Sequence, residues 1–314
     1  MGRLVAGKFS RAERARQRLT INLDDAALTP ATQQRYYLAL RKVLPFVEQC
    51  RCEEELDPQV CKWVRLMWRQ GEPLLTIGDG LSALHFFQPW MKRRIPHAWR
   101  LFSTWRRLEI PARAPPLTQR IVRGLAAYEM ILGNFEMSAL LLLSFHCLLR
   151  TGELLALNPS DLLLGEDSGI VSLQSTKSGK RNAATEAISI TDTVTLEAVR
   201  NLLACRKALT SGNFPLWNSS PAAFRRRFAQ LCNIFGLDHL QFRPYSLRRG
   251  GATDLFQQTQ SMEAALIRGR WESSRVARIY IYISDGLSHL PKLTLSNRTQ
   301  SMLEACYFLD PLRG

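Results

Sequence analysis

Three prolines interrupt the chain within the segment PARAPPL, residues 111–117. Proline lacks a backbone N–H and its ring clashes with the preceding helical turn, so a helix cannot continue through this segment. On both sides of it, apolar residues recur at the spacing of amphipathic helices. The sequence therefore predicts two domains, over residues 29–110 and 118–314, joined by a proline-rich linker.

The first predicted domain is entirely helical. Thr29 and Pro30 fit a helix N-cap followed by the first helical position. No strand pattern appears before residue 110, and the basic residues of segment 1–28 come without a sustained apolar stripe. We interpret 1–28 as a basic flexible tail, with a DNA-tracking arm as the alternative. Further helices are predicted near residues 56–70, 77–92 and 97–108.

The second predicted domain combines helices with a small sheet. Helical spacing covers Thr118–Ile131 and Phe135–Leu149 and returns after residue 192. Two short runs, Ile170–Leu173 and Ala187–Ile190, read as strands on either side of the polar loop TKSGKRN. The predicted fold class is mostly α with a small antiparallel sheet.

The charge of the chain indicates its partner. The 314 residues include 42 Lys and Arg against 27 Asp and Glu, a net charge of +15. Such a surface attracts phosphates or anionic lipid. The longest apolar run, Met137–Leu149, is shorter than the roughly 20 residues of a membrane span, and seven cysteines without a CxxC pair favour a reducing compartment. We therefore expect an intracellular, DNA-associated protein with no membrane partner.

Residues 90–107, which we name the basic belt, interleave tryptophans with cations. Guanidinium groups pair with phosphate oxygens in a forked geometry, and each contact releases counterions, so the belt is predicted to grip a duplex without reading its sequence. We expect its tryptophans, Trp90, Trp99 and Trp105, in the core. The cations predicted to contact DNA are Lys92, Arg93, Arg94, Arg100, Arg106 and Arg107.

Three separated motifs in the second domain carry residues suited to phosphate chemistry. They are RTGELLALNPSD, PYSLRRGGATDLF and GRWESSRVARIYIY. The polar loop between the two predicted strands adds lysines. The residues of interest are Arg150, Glu153, Leu157 and Asp161 in the first motif, Tyr245 and Arg248 in the second, Trp271 and Tyr280 in the third, and Lys177 and Lys180 in the loop.

With these motifs in this order, the second domain resembles the tyrosine recombinase, or phage integrase, family. The helical region before it is similar to that family's core-binding domain. The first motif matches the family's R-x-x-E-x-x-x-L-x-x-x-D pattern in full. Lys177 stands in a TKSG setting similar to that of the family's β-hairpin lysine. The resemblance implies an α+β catalytic domain behind an all-α core-binding domain.

The other two family boxes are matched with one departure. The H-x-x-R box is matched at Arg248 but carries Tyr245 in place of histidine. The third box places His or Trp nine residues before the nucleophile, as Trp271 stands before Tyr280. A phenol can donate a hydrogen bond but is a poor base at neutral pH, so we expect Tyr245 to hydrogen-bond the scissile phosphate and activity to survive.

The resemblance implies a DNA strand transferase that acts through a 3′-phosphotyrosyl link at Tyr280 and releases a 5′-hydroxyl. Two fixed arginines can neutralise the phosphate as the pentavalent state forms, a role we assign to Arg150 and Arg248. The resemblance names Lys177 as the proton donor to the leaving oxygen, and Trp271 can donate its indole N–H to a phosphate oxygen. Neither a cofactor nor a metal is expected.

Neighbouring residues leave several assignments open. Arg249 competes with Arg248, and Lys180 and Arg181 compete with Lys177. We predict Lys180, Arg181, Arg249 and Arg270 as additional DNA contacts, with solvent as the alternative surrounding of Arg270. Glu153 and Asp161 are predicted supports.

Recombination between two duplexes needs four active sites, so we expect a monomer in solution and a tetramer on paired DNA sites. The resemblance implies that the segment Asn297–Leu309 is the inter-subunit helix, with packing on its own domain as the alternative. Two other functions remain open. One is a type IB topoisomerase-like enzyme that relaxes DNA, and the other is a domesticated DNA-binding protein that has lost cleavage.

Overall fold

The computed structural model of the chain describes residues 10–19, 27–109, 114–173, 186–209, 215–275, 277–278, 281 and 295–308. The chain divides into two compact units, Met1–Ala112 and Arg113–Gly314. The described residues are mostly helical, and the second unit contains a three-stranded antiparallel sheet. The predicted fold class is confirmed.

The first unit packs helices around a buried tryptophan. Thr29 caps the second helix by accepting from the N–H of Thr32, and Pro30 opens it, as predicted. The core centres on Trp63, which is fully buried with Ile77 and other apolar side chains. The helices are α1 Arg11–Arg18, α2 Pro30–Val47, α3 Leu56–Arg69, α4 Leu74–Phe87 and α5 Pro96–Leu108.

Helix α1 lies inside the segment that we interpreted as a flexible tail. Ser10 accepts from the N–H of Glu13, and the Glu13 carboxylate accepts from the N–H of Ser10 in return. This reciprocal capping box starts a helix without an apolar stripe. The S-x-x-E signal was present in the sequence and would have predicted it.

The second unit places a small sheet beside a bundle of helices. Its strands are β1 Leu162–Leu164, β2 Gly169–Leu173 and β3 Glu186–Ile190, paired in the order β1-β2-β3. Strand β1 was not predicted, because three residues are too few to show an alternation. The helices are α6 Gln119–Ile131, α7 Phe135–His146, α8 Thr151–Leu154, α9 Thr193–Leu209, α10 Pro221–Ile234, α11 Tyr245–Thr259, α12 Met262–Gly269 and α13 Asn297–Phe308. None of the described helices is long and apolar enough to cross a membrane.

Helix α7 ends earlier than predicted. Its apolar residues are almost completely buried, but the helix stops at His146 because Leu148 has a left-handed backbone, with φ at 48°. The turn leaves the carbonyl of Leu148 without a helical partner and directs the chain into α8. The first candidate motif begins just after this turn, at Arg150, the N-cap of α8.

Two glycines allow α11 to approach its neighbours more closely than other residues would. A Cβ on Gly250 would overlap the carbonyl of Leu117, and a Cβ on Gly251 would overlap the carbonyl of Phe145. The backbone of α11 therefore packs directly against α7. This approach brings the second candidate motif to the end of α7.

The predicted inter-subunit helix, α13, packs on α6 of its own domain. Leu303 is 1% exposed and lies directly over Gly124. On the surface, Arg120 and Glu304 form an ion pair. Within this chain Leu303 fills the space that Gly124 leaves on α6. The predicted contact of α13 with another subunit stays a prediction.

Candidate active site

Glu153 orients Arg150 at the start of α8. One carboxylate oxygen, Oε2, accepts from the backbone N–H of Arg150 at 2.9 Å, and Oε1 accepts from its Nη1 at 2.5 Å. The side chain of Glu153 is 5% exposed, whereas that of Arg150 is 31% exposed. Arg150 is thus held on one side by Glu153 and open to solvent on the other.

Arg248 reaches the same carboxylate from the first turn of α11. Its Nη1 lies 3.9 Å from Oε2 of Glu153 and donates to the carbonyl of Leu148, and its Nη2 donates to the carbonyl of Gly269 at 2.5 Å. The side chain is 1% exposed. The first two motifs therefore meet at Glu153.

Trp271 adds the third motif to this group. The Cζ atom of Arg248 lies 5.1 Å from the centroid of the indole ring, at cation–π distance. Trp271 is buried in an apolar cluster with Ala277 and Ile281. Ile281 follows Tyr280 in the sequence. Tyr280 itself lies outside the described residues, as do Lys177, Lys180 and Arg181.

Arg270 does not face solvent. Its Nη2 lies 2.6 Å from Oε2 of Glu153, its Nε lies 3.1 Å from Oε2 of Glu186, and its side chain is 8% exposed. Burial would raise the pKa of Glu153, but Arg270 and Arg150 together hold that pKa below its ordinary value. Glu153 is therefore an ionised carboxylate at neutral pH, and Arg150, Arg248 and Arg270 all lie within 4 Å of it. The predicted contact of Arg270 with DNA remains a prediction.

The remaining candidates of the second unit lie at different distances from this group. Tyr245 is 41% exposed one helical turn before Arg248. Arg249 is 1% exposed and donates to the carbonyl of Ala114 at 2.7 Å, away from Glu153, so Arg248 is the arginine that joins the group. Asp161 accepts from the backbone N–H of Asn158 at 2.9 Å, supporting the turn into β1.

In the first unit, all six cations of the basic belt are exposed. Trp105 is buried and Trp99 packs against the core, as expected. Trp90 is 55% exposed, so its predicted core position is wrong. It lies in a short 3₁₀ turn, where its indole N–H donates to the side chain of Gln88 at 2.9 Å.

Two exposed cations lie beside the basic belt that were not among the residues predicted from the sequence to contact DNA. Lys62 and Arg65, both exposed on α3, line a cavity of about 380 Å³ together with Arg100 of the basic belt. Asp57 of α3 holds α5 beside them by accepting from the N–H groups of His97 and Ala98, both at 3.0 Å. The three-residue spacing of Lys62 and Arg65 on a predicted helix was only a weak indication of a DNA contact, because exposed lysines and arginines are common.

A larger cavity, of about 550 Å³, lies between α7, α11, α12 and the sheet. Asp192, at its wall, accepts from the N–H of Thr195 at 2.9 Å and pairs with Arg123 at 2.8 Å. Burial lowers the pKa of His146 to about 4, although Asp192 lies 3.3 Å away and favours the charged form. Asp192 thus connects α6 and the end of α7 to the start of α9. Within the described residues, no three His, Cys, Asp or Glu side chains are placed to hold a metal ion.

Comparisons with known proteins identify the fold. No protein-family model and no curated protein sequence matches the chain. Among solved structures, the XerH site-specific recombinase, in a post-cleavage complex with palindromic difH substrate, matches with a TM-score of 0.61 and 14% identity over 83% of this chain and 79% of that one.

Two further structures agree. The Tn1549 transposon integrase in complex with transposon right end DNA has a TM-score of 0.57 and 15% identity, over 90% of this chain and 98% of that one. A lambda integrase dimer bound to a COC′ core site has a TM-score of 0.55 and 15% identity, over 86% and 93%. The chain therefore has the fold of tyrosine recombinases, as the resemblance implied.

Proposed function

We propose that this protein is a tyrosine recombinase, which cleaves double-stranded DNA and rejoins it through a covalent phosphotyrosyl intermediate. One observation carries the proposal. Arg150 and Arg248, from motifs far apart in the sequence, converge on Glu153, and Trp271 covers Arg248. This group occurs in a fold shared with recombinases and integrases bound to DNA.

The proposed reaction is an exchange of phosphate esters. The hydroxyl oxygen of Tyr280 attacks the phosphorus and loses its proton to a base, so that an O–P bond forms while the bond from phosphorus to the 5′ oxygen breaks. Lys177 donates a proton to that leaving oxygen. Arg150, Arg248 and the Trp271 indole N–H stabilise the charge on the non-bridging oxygens. Tyr245 donates a further hydrogen bond.

Rejoining reverses these steps with the 5′-hydroxyl of another strand. Each broken phosphate ester is replaced by another, so no ATP is consumed. The arginines neutralise the transition state, and the proposed reaction needs no divalent ion. Exchange between two duplexes uses four nucleophiles, so we propose that four protomers assemble on paired sites. The basic belt, with Lys62 and Arg65, supplies contacts to the DNA backbone.

A second candidate is a protein that binds DNA without cleaving it. The guanidinium of Arg248 is 1% exposed and donates to two backbone carbonyls. In this arrangement Nη1 and Nη2 each donate to a carbonyl of the protein. Cleavage would require them to turn to the phosphate when DNA binds, whereas simple binding would not.

Covalent capture in cells separates the two candidates. Cells expressing the protein are denatured rapidly, DNA-linked protein is recovered, the modified residue is mapped and the attached DNA is sequenced. We expect a link at Tyr280 that disappears in Tyr280→Phe and persists in the matched control Tyr282→Phe. The isolated protein should cleave the recovered site in EDTA. No adduct in the parent or in Tyr245→His would support binding without cleavage.

A further inference from the structure

Arg270 has a backbone conformation that is unfavourable for a residue with a Cβ. Its φ is 53°, in the left-handed region, directly after α12. Glycine adopts this conformation easily and is the usual residue at such helix ends. A non-glycine residue keeps it only where the surrounding structure holds it there. The side chain of Arg270 therefore makes contacts that outweigh the strain of its backbone.

Those contacts join two carboxylates from different parts of the chain. The guanidinium lies 2.6 Å from Glu153 of α8 and 3.1 Å from Glu186 of β3. It also donates to the carbonyls of Cys147 and Leu148, each at 3.4 Å. One arginine thus connects α8, β3 and the turn after α7, with a side chain that is 8% exposed.

Two of these partners also hold the phosphate-binding arginines. Glu153 accepts from the backbone N–H and the guanidinium of Arg150. The carbonyl of Leu148 accepts from Arg248 as well as from Arg270. Displacement of Arg270 would therefore alter the contacts of both Arg150 and Arg248, because each of them shares an acceptor with Arg270.

Glu186, the other carboxylate that contacts Arg270, lies at the start of β3. It is paired with Leu173, the last residue of β2. Lys177 belongs to the segment that connects these two residues. A contact to Glu186 therefore fixes the point where that segment rejoins the sheet, independently of what the segment itself does.

We propose that Arg270 is a positioning residue, which holds the start of β3, where the segment that carries Lys177 ends, in place relative to Arg150 and Arg248. The proposal rests on the function proposed above. Arg270 does not touch the phosphate in this role, and it acts through Glu153 and Glu186. Loss of Arg270 should then weaken proton donation to the leaving oxygen more than it weakens DNA binding.

Arg270→Gly is the informative variant, because glycine relieves the backbone strain while the guanidinium is removed. The probe is a nicked duplex that contains the DNA site recovered by covalent capture. We expect single-turnover cleavage to fall about a hundredfold, a typical contribution of a positioned general acid, with DNA affinity nearly unchanged. Arg270→Lys, which keeps the charge but not the fork, should recover part of the rate.

A duplex with sulfur in place of the bridging 5′ oxygen tests whether the defect lies in proton donation to the leaving atom. A thiolate leaves without a proton, so this substrate should restore cleavage by Arg270→Gly to near the parent rate, as it should for Lys177→Ala. An equal deficit on both substrates, or a variant as fast as the parent on the normal duplex, would overturn the proposal. Arg200→Ala is the matched control, since Arg200 pairs with Glu197 and bonds the β1–β2 turn without contacting Glu153 or Glu186.

Hydrogen exchange tests the same contacts without cleavage. In Arg270→Gly, the amides of residues 186–190 and of Arg150 should exchange faster, whereas those of β1 should not. Unchanged exchange at residues 186–190 would contradict the proposal even if the parent does not cleave DNA. Absence of any adduct in the parent would instead count against the proposed function, so the two failures can be told apart.

Discussion

The guanidinium of Arg248 lies over the indole ring of Trp271, and it donates to the carbonyl of Gly269 two residues earlier. Arg248 is thereby packed against the same short segment that leads towards the proposed nucleophile. The ring limits how far the guanidinium can move, which matters if its donors turn from carbonyls to a phosphate when DNA binds.

Replacing Trp271 should slow cleavage in proportion to what is removed. Trp271→Phe keeps an aromatic face but loses the N–H, and Trp271→Ala loses both. A cation–π contact contributes about 0.5–2 kcal/mol, so we expect Trp271→Ala to cleave about tenfold more slowly or worse, and Trp271→Phe to lie between it and the parent. Single-turnover rates on a nicked duplex measure this. An alanine variant as fast as the parent would remove Trp271 from the site.

The close packing of α11 on α7 makes Gly251 intolerant of any side chain. In Gly251→Ala, the new methyl group would overlap the carbonyl of Phe145. We expect the free energy of unfolding to fall by about 3 kcal/mol or more. Gly152→Ala is the control, because its methyl group meets nothing within 4 Å and α8 would gain helix propensity. Urea denaturation should rank Gly152→Ala at or above the parent and Gly251→Ala far below it.

Neutralising Glu153 should reduce stability in a pH-dependent way. Glu153→Gln leaves Arg270 and Arg150 without their shared charge, at a cost of about 3 kcal/mol at pH 7. The folded pKa of Glu153 lies below its ordinary value. Its contribution is therefore complete above the unfolded pKa, about 4.3, and is lost as the pH falls through the lower folded value. Denaturation of parent and variant at several pH values should show their difference shrinking only below about pH 4.

His146 should make the second unit sensitive to mild acid. Its folded pKa of about 4 is below the unfolded value of about 6.5, because burial favours the neutral ring over the opposing pull of Asp192. Between these values the unfolded chain binds the extra proton, so stability falls as the pH drops from 6.5 to 4. The loss is of the order of 3 kcal/mol. In His146→Gln this dependence should be absent, and an unchanged pH profile would contradict the assignment.

Lys62 and Arg65 should contribute to DNA affinity through charge alone. Alanine at either position should weaken binding to unrelated duplexes by a similar factor and lower the slope of log affinity against log salt by about 1. Lys42→Ala is the control, since Lys42 pairs with Glu72 at 2.7 Å. Fluorescence anisotropy across a salt series gives both quantities. An unchanged slope in Lys62→Ala and Arg65→Ala would exclude them from the interface.

Much of the fold was predictable because local signals agreed with tertiary packing. Thr29 and Pro30 specify a helix start by cap chemistry, and the runs around Ile170 and Ile188 alternate as strands do. Strand β1 and the end of α7 were not predictable, since they depend on partner strands and on the left-handed turn at Leu148, which no glycine marks.

The candidate site was predictable in its members but not in its connections. The resemblance of the three motifs to a known family identified Arg150, Arg248 and Trp271, which do lie together. The role of Glu153 as a shared acceptor, and the burial of Arg270 between two carboxylates, arise from segments that are distant in sequence. From the sequence alone, Arg270 is expected at the surface, because the elements that bury it are distant in the chain.

The left-handed backbone at Arg270 also has a genetic consequence. Every arginine codon is a single-base change from a glycine codon, so the substitution that would relieve this strain is always within reach of mutation. Drift alone would let the strained arginine be replaced by the residue that suits its backbone. Sequences of related chains should therefore keep arginine at this position wherever they also keep carboxylates at the positions of Glu153 and Glu186, and should turn to glycine where those are lost.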